Sequence, residues 1–405
     1  MQPERLEFTG SLGETLTARL ERPNGTPRAC AVFAHCFSCS KDVLAASRIS
    51  RQLARIGIAV LRFDFTGLGN SGGDFSNTNF SSNIGDVICA AKHLETMGQA
   101  PALLIGHSLG GAAVIAAAPD IPSVQAVATI GAPADADHVT TQFCSEIDDI
   151  HRDGEATVSL GGRPFQIRKQ FLEDIGGHSL EEAAGRFRGG LLVMHSPVDE
   201  TVSIDNASRL FSAAKHPKSF ISLDHADHLL SLESDSIYAA NVIAAWAEPF
   251  GAGDPLPAPP RAVKDSVVVQ ETGQGRYQNW VVNQDHALLT DEPESVGGGN
   301  SGLTPYGYIS AALGGCTSMT IRMYANRKKW PLDRVTVTVT HAKDHAEDCA
   351  HCPDKAVKID IFEREISLEG DLSADQLARL LEIADRCPVH RTLHEPVLVR
   401  TRLKA

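Results

Sequence analysis

The chain has 405 residues, and at roughly 150 residues per domain this length suggests two or three domains. Its 42% hydrophobic and 21% charged residues are typical of a folded chain and exclude a mainly disordered one. A formal net charge of −13 argues against nucleic acid as the main partner, because phosphate binding needs a basic surface. No apolar run approaches the ~20 residues that span a bilayer, and no secretory signal pattern opens the chain. We therefore expect no membrane partner. Nine cysteines are too few for a disulfide scaffold, so we expect a reducing, cytoplasmic location.

Short β-rich runs alternate with helical patterns over residues 1–250. After a leading antiparallel pair at Leu6–Phe8 and Leu16–Leu20, six strands are predicted at Ala29–Ala34, Ile58–Phe63, Ala102–Ile105, Ala126–Ile130, Leu191–Met194 and Ser219–Leu223. Helices are predicted at Val43–Ile56, Ser82–Met97, Ala112–Ala117 and Asp205–Ala214. This alternation predicts an α/β fold with a doubly wound, mostly parallel sheet, whose ligand sites lie at the carboxyl ends of the strands.

A segment rich in proline and glycine, residues 251–261, predicts a linker between two domains. The first domain then covers residues 1–250, with an inserted cap at about 132–189, and the second covers residues 262–405.

The second domain has a different, α+β pattern. Strands are predicted at Ser266–Glu271, Arg276–Val282, Ala287–Thr290, Val335–His341, Val357–Leu368 and Val397–Thr401. A long helix should begin at Pro305 behind the cap Thr304 and end near Lys328, and a second should cover Ala374–Ile383. Met319 and Met323 are one turn apart on the long helix, which predicts that they belong to its core face.

The first chemical motif is Gly106-His107-Ser108-Leu109-Gly110, which follows a predicted strand and opens a helix. A Gly-x-Ser-x-Gly sequence in that context forms a tight turn that exposes the serine hydroxyl above the sheet. Ser108 is therefore the candidate nucleophile.

A serine nucleophile needs a base and an orienting acid, which follow it in the order acid, then histidine. Asp199 and His228 each come just after a predicted strand, so their side chains should reach the same sheet edge as Ser108. Two alternatives stay open, since Glu200 adjoins Asp199 and His225 lies three residues before His228. We favour His228 because His225 lies closer to its strand end. The amides of Leu109 and, from the loop after Ala34, Phe37 are the expected oxyanion hole.

Residues 1–250 resemble an α/β-hydrolase, since Asp64-Phe65-Thr66-Gly67-Leu68-Gly69-Asn70-Ser71 matches the family's Asp-x-x-Gly-x-Gly-x-Ser loop. One departure is Cys36, which stands where the family usually has glycine after His35. The resemblance implies a serine hydrolase without a cofactor, of the carboxylesterase type. The modest polar cap favours small acyl esters over long lipid chains.

Residues 262–403 resemble the OsmC/Ohr family in two segments, Pro305–Thr320 and Cys387-Pro388-Val389-His390. The resemblance implies thiol-dependent reduction of organic hydroperoxides by a dithiol reductant, in an intertwined homodimer. Cys316 matches the peroxidatic cysteine, Cys387 the resolving cysteine and Arg276 the arginine that stabilises the thiolate. The family's glutamate near the helix start is replaced by Tyr306-Gly307.

Two Cys-x-x-Cys pairs are weaker candidates. Cys349 and Cys352, near His341, His345 and His351, form at most half of a zinc site, so we predict no bound metal and treat them as incidental. Cys36 and Cys39 suggest either a redox pair or, more simply, two small residues in an active-site loop.

Three hypotheses follow. The leading one is a small-ester hydrolase that forms an acyl-enzyme on Ser108, fused to a dimerising OsmC-like domain. The second is a thiol peroxidase acting through Cys316 and Cys387, with the hydrolase half accessory. In the third, the C-terminal domain only dimerises the chain.

Overall fold

The structure is a computed structural model that describes residues 3–36, 40–160, 162–251, 257–345 and 358–403. The chain divides into two compact units, Met1–Pro257 and Ala258–Ala405, and each is described by itself. None of the helices in these described ranges combines the length and the apolar character that a membrane span needs.

The first unit is built on an eight-stranded sheet in the order β1-β2-β4-β3-β5-β6-β9-β10. Its strands are β1 (Glu4–Thr9), β2 (Thr15–Glu21), β3 (Ala29–Ala34), β4 (Ile58–Phe63), β5 (Leu103–His107), β6 (Ala126–Ile130), β9 (Gly190–His195) and β10 (Lys218–Ser222). β1 and β2 pair antiparallel and β2 joins β4 antiparallel, whereas β4, β3, β5, β6, β9 and β10 run parallel. The predicted doubly wound, mostly parallel sheet is confirmed.

Helices cover both faces of this sheet. They are α1 (Leu44–Arg55), α2 (Phe80–Thr96), α3 (Leu109–Ala117), α7 (Asp205–Ala213) and α8 (Glu233–Ala247). The buried residues form two hydrophobic clusters, because alternate side chains of each parallel strand point to opposite faces. α2 begins two residues before its predicted start, since Asn79 and Ser82 form a reciprocal capping box there.

The segment between β6 and β9 forms a small cap. It contains a 3₁₀ segment (Ala136–Glu146), α4 (Ile147–Asp153), the hairpin of β7 (Glu155–Leu160) and β8 (Arg163–Arg168), α5 (Lys169–Ile175) and α6 (Leu180–Arg186). Asp174 in α5 accepts hydrogen bonds from the amide and hydroxyl of Ser81 at 2.7 and 2.6 Å, which ties the cap to the first turn of α2. The cap is therefore fixed to the hydrolase core by a polar contact.

The second unit contains a three-stranded antiparallel sheet and a long hairpin. The sheet is β11 (Val268–Glu271), β12 (Asn279–Val282) and β13 (Ala287–Thr290), and the hairpin is β14 (Leu332–His345) and β15 (Lys358–Gly370). The helices are α9 (Pro305–Lys328), α10 (Ala374–Ala384) and α11 (Pro388–His394). Thr304 accepts a hydrogen bond from the Gly307 amide, so α9 begins where its cap and Pro305 predicted.

The core of the second unit is small for a unit of its length. Its cluster of buried residues comprises Ile321, Ala325, Leu332, Leu380 and Ala384. Met319 and Met323, expected in the core, are instead 67% and 72% exposed. That expectation was wrong because the core face of α9 is formed by the neighbouring positions, and much apolar surface is left uncovered.

The predicted strand Val397–Thr401 is also wrong: this segment has no regular secondary structure. A strand needs a neighbouring backbone to pair with. Val397, Leu398 and Val399 are largely exposed and pair with no strand of the described residues.

Candidate functional site

Ser108 lies at the turn between β5 and α3, with φ 54° and ψ −125°. Such a backbone is strained for a residue with a side chain, and it lifts the hydroxyl out of the line of the strand. The glycines on either side make the turn possible, because a Cβ on Gly106 would overlap the backbone of Gly110 and Gly111. The sequence motif therefore has the strand, strained serine and helix that it predicts.

Asp199 and His228 are directly hydrogen-bonded, with 2.7 Å between Asp199 Oδ2 and His228 Nδ1. The other oxygen of Asp199 accepts the amides of Thr201 and Val202, each at 2.9 Å. Burial acts to raise the pKa of Asp199, yet the hydrogen bonds from His228 and the two amides hold that pKa below its usual value. Asp199 is thus a fixed carboxylate, ready to orient the imidazole. Glu200 is exposed.

Gly131 connects this pair to the serine. The Ser108 amide donates to the carbonyl of Ile130 at 2.9 Å, and a Cβ on the next residue, Gly131, would lie 3.2 Å from Asp199 Oδ2 and 3.3 Å from His228 Nδ1. All three candidate side chains therefore belong to one sheet edge. Within the described part of the chain, Ser108 Oγ and the His228 ring are not hydrogen-bonded to each other. His225, the alternative base, is exposed.

The expected oxyanion hole is described only in part. The amide of Leu109 opens α3 directly after Ser108, whereas Phe37 and Cys39 lie outside the described residues. Cys36 is disulfide-bonded. Gly110 packs so closely on the end of β3 that a Cβ there would overlap the carbonyl oxygens of Ala34 and His35. This contact holds the start of α3 against the loop that should supply the second donor.

The two cysteines of the second unit meet although they are far apart in sequence. Cys316 lies in α9 and is half-buried, and Cys387 precedes α11 and is fully buried. Their thiols interact, and Cys387 Sγ also accepts from the Thr317 hydroxyl at 3.7 Å.

Arg276 lies beside an aromatic ring and a glycine of the same unit. Its guanidinium lies 5.1 Å from the ring of Tyr277 and its Nη1 lies near Gly297. The guanidinium that the described residues place beside Cys387 is that of Arg364, which the sequence did not single out.

No metal centre is evident in the described ranges, where no group of three or more His, Cys, Asp or Glu side chains is suited to hold an ion. Cys349 and Cys352 lie outside the described residues.

Two family comparisons agree with the division into units. Residues 25–147 match the family described as serine aminopeptidase, S33, and residues 298–402 match the OsmC-like proteins. The solved esterase domain of a Rhodothermus marinus protein is 48% identical, with a TM-score of 0.52, over 62% of this chain and 100% of that domain. The chain belongs to the α/β-hydrolase family and carries an OsmC-like domain at its C-terminus.

Other relatives of the hydrolase unit are more distant. The mitochondrial palmitoyl-protein thioesterase ABHD10 of Rattus norvegicus is 28% identical over 37% of this chain and 47% of its own length. The chain thus spans about half the length of the curated relatives it matches. The solved α/β-hydrolase domain-containing protein 10 from mouse is 21% identical over 61% of this chain and 99% of its own, with a TM-score of 0.51, and shares the fold.

Sequence reasoning missed two buried histidines in the hydrolase unit. The Nε2 of His107 lies 2.7 Å from the carbonyl oxygen of His228, and the two rings are 5.1 Å apart. Burial, and then the nearby His228, lowers the pKa of His107 to about 4, so this ring is neutral at pH 7 and its Nε2–H donates to the carbonyl.

His195 lies below Asp199. Its Nε2 donates to the carbonyl of Val202 at 2.8 Å and is 3.7 Å from Asp199 Oδ2, and burial lowers its pKa. His107 could have been noticed because it adjoins Ser108, but nothing in the sequence indicates which backbone it holds.

Proposed function

We propose that the hydrolase unit cleaves small acyl esters through an acyl-enzyme on Ser108. The observation that carries the proposal is the Asp199–His228 hydrogen bond at the same sheet edge as the strained Ser108 backbone. His228 takes the hydroxyl proton as Ser108 attacks the carbonyl carbon, and Asp199 holds the imidazole in the tautomer that can accept it. The amides of Leu109 and Phe37 bind the oxyanion. The ester C–O bond then breaks, and His228 gives its proton to the leaving alcohol. Water, activated by His228, hydrolyses the acyl-enzyme, releases the acid and restores the Ser108 hydroxyl. A catalytic hydrogen bond that is absent without substrate is common in such sites.

The size of the acyl group is proposed from the small, polar cap between β6 and β9. A cap of this size and polarity favours a short acyl chain over a long apolar one. Because the curated relatives are named as palmitoyl-protein thioesterases, a thioester of a long acyl chain is the competing substrate.

The test is hydrolysis of p-nitrophenyl acetate, butyrate and palmitate and of the matching acyl thioesters. Wild type should turn over the short esters fastest, and Ser108→Ala should lower kcat by about 10⁴-fold or more. His228→Ala should lower kcat by a similar factor, whereas the matched variant His225→Ala should keep wild-type turnover. Full activity in Ser108→Ala would end the assignment, and a preference for palmitoyl thioester would replace the substrate class.

A second activity is proposed for the OsmC-like domain, because Cys387 interacts with Cys316 and its sulfur lies 3.7 Å from the hydroxyl of the next residue, Thr317. Cys316 reduces an organic hydroperoxide to its alcohol and becomes a sulfenic acid, and Cys387 resolves it as a disulfide. A dithiol then restores the thiols. Cumene hydroperoxide consumption with dithiothreitol or lipoamide should be lost in Cys316→Ser, and equal consumption in the two proteins would refute this activity.

The assembly proposed for the chain is a homodimer formed through the OsmC-like domain. Its support is the small core of this unit together with the exposed Met319, Met323 and 397–399 segment. A cytoplasmic location remains a prediction from the cysteine usage.

A further inference from the structure

Cys387 has an unusually polar surrounding for a fully buried thiol. Its side chain is 0% exposed, and its Sγ accepts the amide of His390 at 3.3 Å and the Thr317 hydroxyl at 3.7 Å. The Cys316 thiol is a third donor to the same sulfur. Three donors directed at one sulfur favour a negative charge on that atom, since a neutral buried thiol needs none of them.

Arg364 supplies a fixed positive charge behind these donors. Its Nη1 donates to the Thr317 hydroxyl oxygen at 3.0 Å and to the Ala384 carbonyl at 3.2 Å, and its Nη2 contacts Asp385 Oδ1 at 2.7 Å. Because the Thr317 oxygen accepts from Arg364, its single hydroxyl proton is directed towards Cys387. β15, α9 and the end of α10 thereby hold the guanidinium next to the cysteine pair.

We propose that Arg364, acting through Thr317, keeps Cys387 as the thiolate of the reduced pair, so that Cys387 is the base that deprotonates Cys316. The inference rests on the proposed peroxide reduction and adds a step before resolution. Arg364 and Thr317 are positioning residues in this scheme, and Arg364 takes the electrostatic role that the sequence gave to Arg276.

Cys387 takes the thiol proton of Cys316 as the Cys316 sulfur attacks a peroxide oxygen. The O–O bond breaks, the alkoxide leaves and takes a proton from water, and Cys316 becomes a sulfenic acid. The Cys387 sulfur then attacks the Cys316 sulfur, water leaves, and the pair is oxidised to a disulfide while the hydroperoxide is reduced to an alcohol.

The other titratable groups near Cys387 leave the effect of Arg364 on its pKa in place. The groups facing it are Cys316, Arg364, Asp385 and His390, with His394 behind His390. Asp385 is paired with Arg364. Burial, then the charges of Arg364 and His394, lower the pKa of His390, which is therefore neutral at pH 7. Although burial opposes it, the hydrogen bonds from His390, Cys316 and Thr317 and the charge of Arg364 lower the pKa of Cys387.

The test is a thiolate titration of the reduced full chain by its absorbance at 240 nm. Subtracting the curve of Cys387→Ser from that of wild type isolates Cys387 among nine cysteines. We expect a midpoint below the ordinary ~8.5. Arg364→Met should raise it by about one pH unit or more, Thr317→Val should raise it less, and Arg364→Lys should restore part of the shift.

Arg276→Met is the matched control and should leave the midpoint unchanged. Circular dichroism checks the fold of each variant, and the nearly isosteric Thr317→Val serves if Arg364→Met does not fold. An unchanged midpoint in folded Arg364→Met, a shift in Arg276→Met instead, or a low-pH thiolate that disappears in Cys316→Ser but not in Cys387→Ser would overturn the proposal. The expected titration without hydroperoxide consumption would keep the thiolate assignment and remove the proposed peroxidase activity.

Discussion

At the scale of single residues, the candidate hydrolase site depends on two unusual backbone positions, Ser108 and Gly131. Ser108 has a positive φ that few residues with a Cβ adopt, and Gly131 occupies a position where a Cβ would contact both Asp199 and His228. Ser108 follows β5 and Gly131 follows β6, and these two strands are parallel neighbours in the sheet. These two backbone positions therefore set the geometry of the candidate site.

Replacing Asp199 by asparagine should lower kcat for ester hydrolysis by about 10⁴-fold with little change in KM. The amide keeps the shape, but its oxygen stays with the Thr201 and Val202 amides, so its NH2 faces His228 Nδ1 and holds the imidazole in the wrong tautomer. Steady-state kinetics on p-nitrophenyl acetate measures this. Glu200→Gln changes the exposed neighbouring carboxylate and should behave as wild type. Equal losses in the two variants would contradict the assignment.

His107 predicts a specific acid sensitivity. Its folded pKa of about 4 lies below the ordinary 6.5, so the unfolded chain takes up a proton that the folded chain resists. The contribution of neutral His107 to the free energy of unfolding is fully present above pH 6.5 and is lost as the pH falls towards 4. The loss is up to about 3 kcal/mol, at 1.36 kcal/mol per pKa unit.

His107→Gln keeps a donor for the His228 carbonyl but does not titrate. Scanning calorimetry at pH 7.5 and 4.5 should therefore show a smaller drop in the Tm of the first unit than wild type shows. The matched exposed variant His225→Gln should show the wild-type drop. An identical drop in all three proteins would contradict the role of His107 in acid sensitivity.

At the scale of elements, most of the central sheet could be predicted from the sequence because each parallel strand is a continuous apolar run. β3, β4 and β6 have the predicted bounds, and β5 and β9 differ by two residues or fewer at each end. Outside the cap, the helices α8 and α11 were not predicted. α8 is apolar on most of its circumference, and α11 is a single short helix that begins with a proline.

The contact between α3 and β3 gives a test at this scale. Gly110→Ala should destabilise the first unit by about 2 kcal/mol or more and lower esterase activity, because the added Cβ meets two fixed backbone carbonyls. Calorimetry and ester turnover measure the two effects. Gly176→Ala is the control, since its Cβ would enter open space without a positive φ. A neutral result for Gly110→Ala would show that the turn can relax.

At the scale of the whole molecule, the two units differ in how completely they bury their apolar residues. The first has two extensive buried clusters, while the second leaves Met319, Met323, Leu398 and Val399 more than 60% exposed. Exposed apolar surface of this extent usually marks an interface.

The proposed dimer should dissociate when this surface is made charged. Sedimentation equilibrium of the wild-type full chain should give a dimer, and Met319→Glu with Met323→Glu should shift it to monomer at the same concentration. The control Glu233→Lys changes an exposed charge on α8 of the first unit and should leave the dimer intact. A wild-type monomer at micromolar concentration would contradict the proposal.

The hydrolase fold, the tight turn at Ser108 and the order of the candidate acid and base could be predicted from the sequence. Apolar periodicity and glycine placement are local properties, so they can be recognised in the sequence without knowledge of the fold. Which side chains meet and which stay exposed depends on tertiary packing. His107 contacts the His228 carbonyl, Arg364 contacts Thr317, and Met319 is exposed on its helix. These outcomes depend on how elements distant in sequence pack together, and no local pattern encodes that packing.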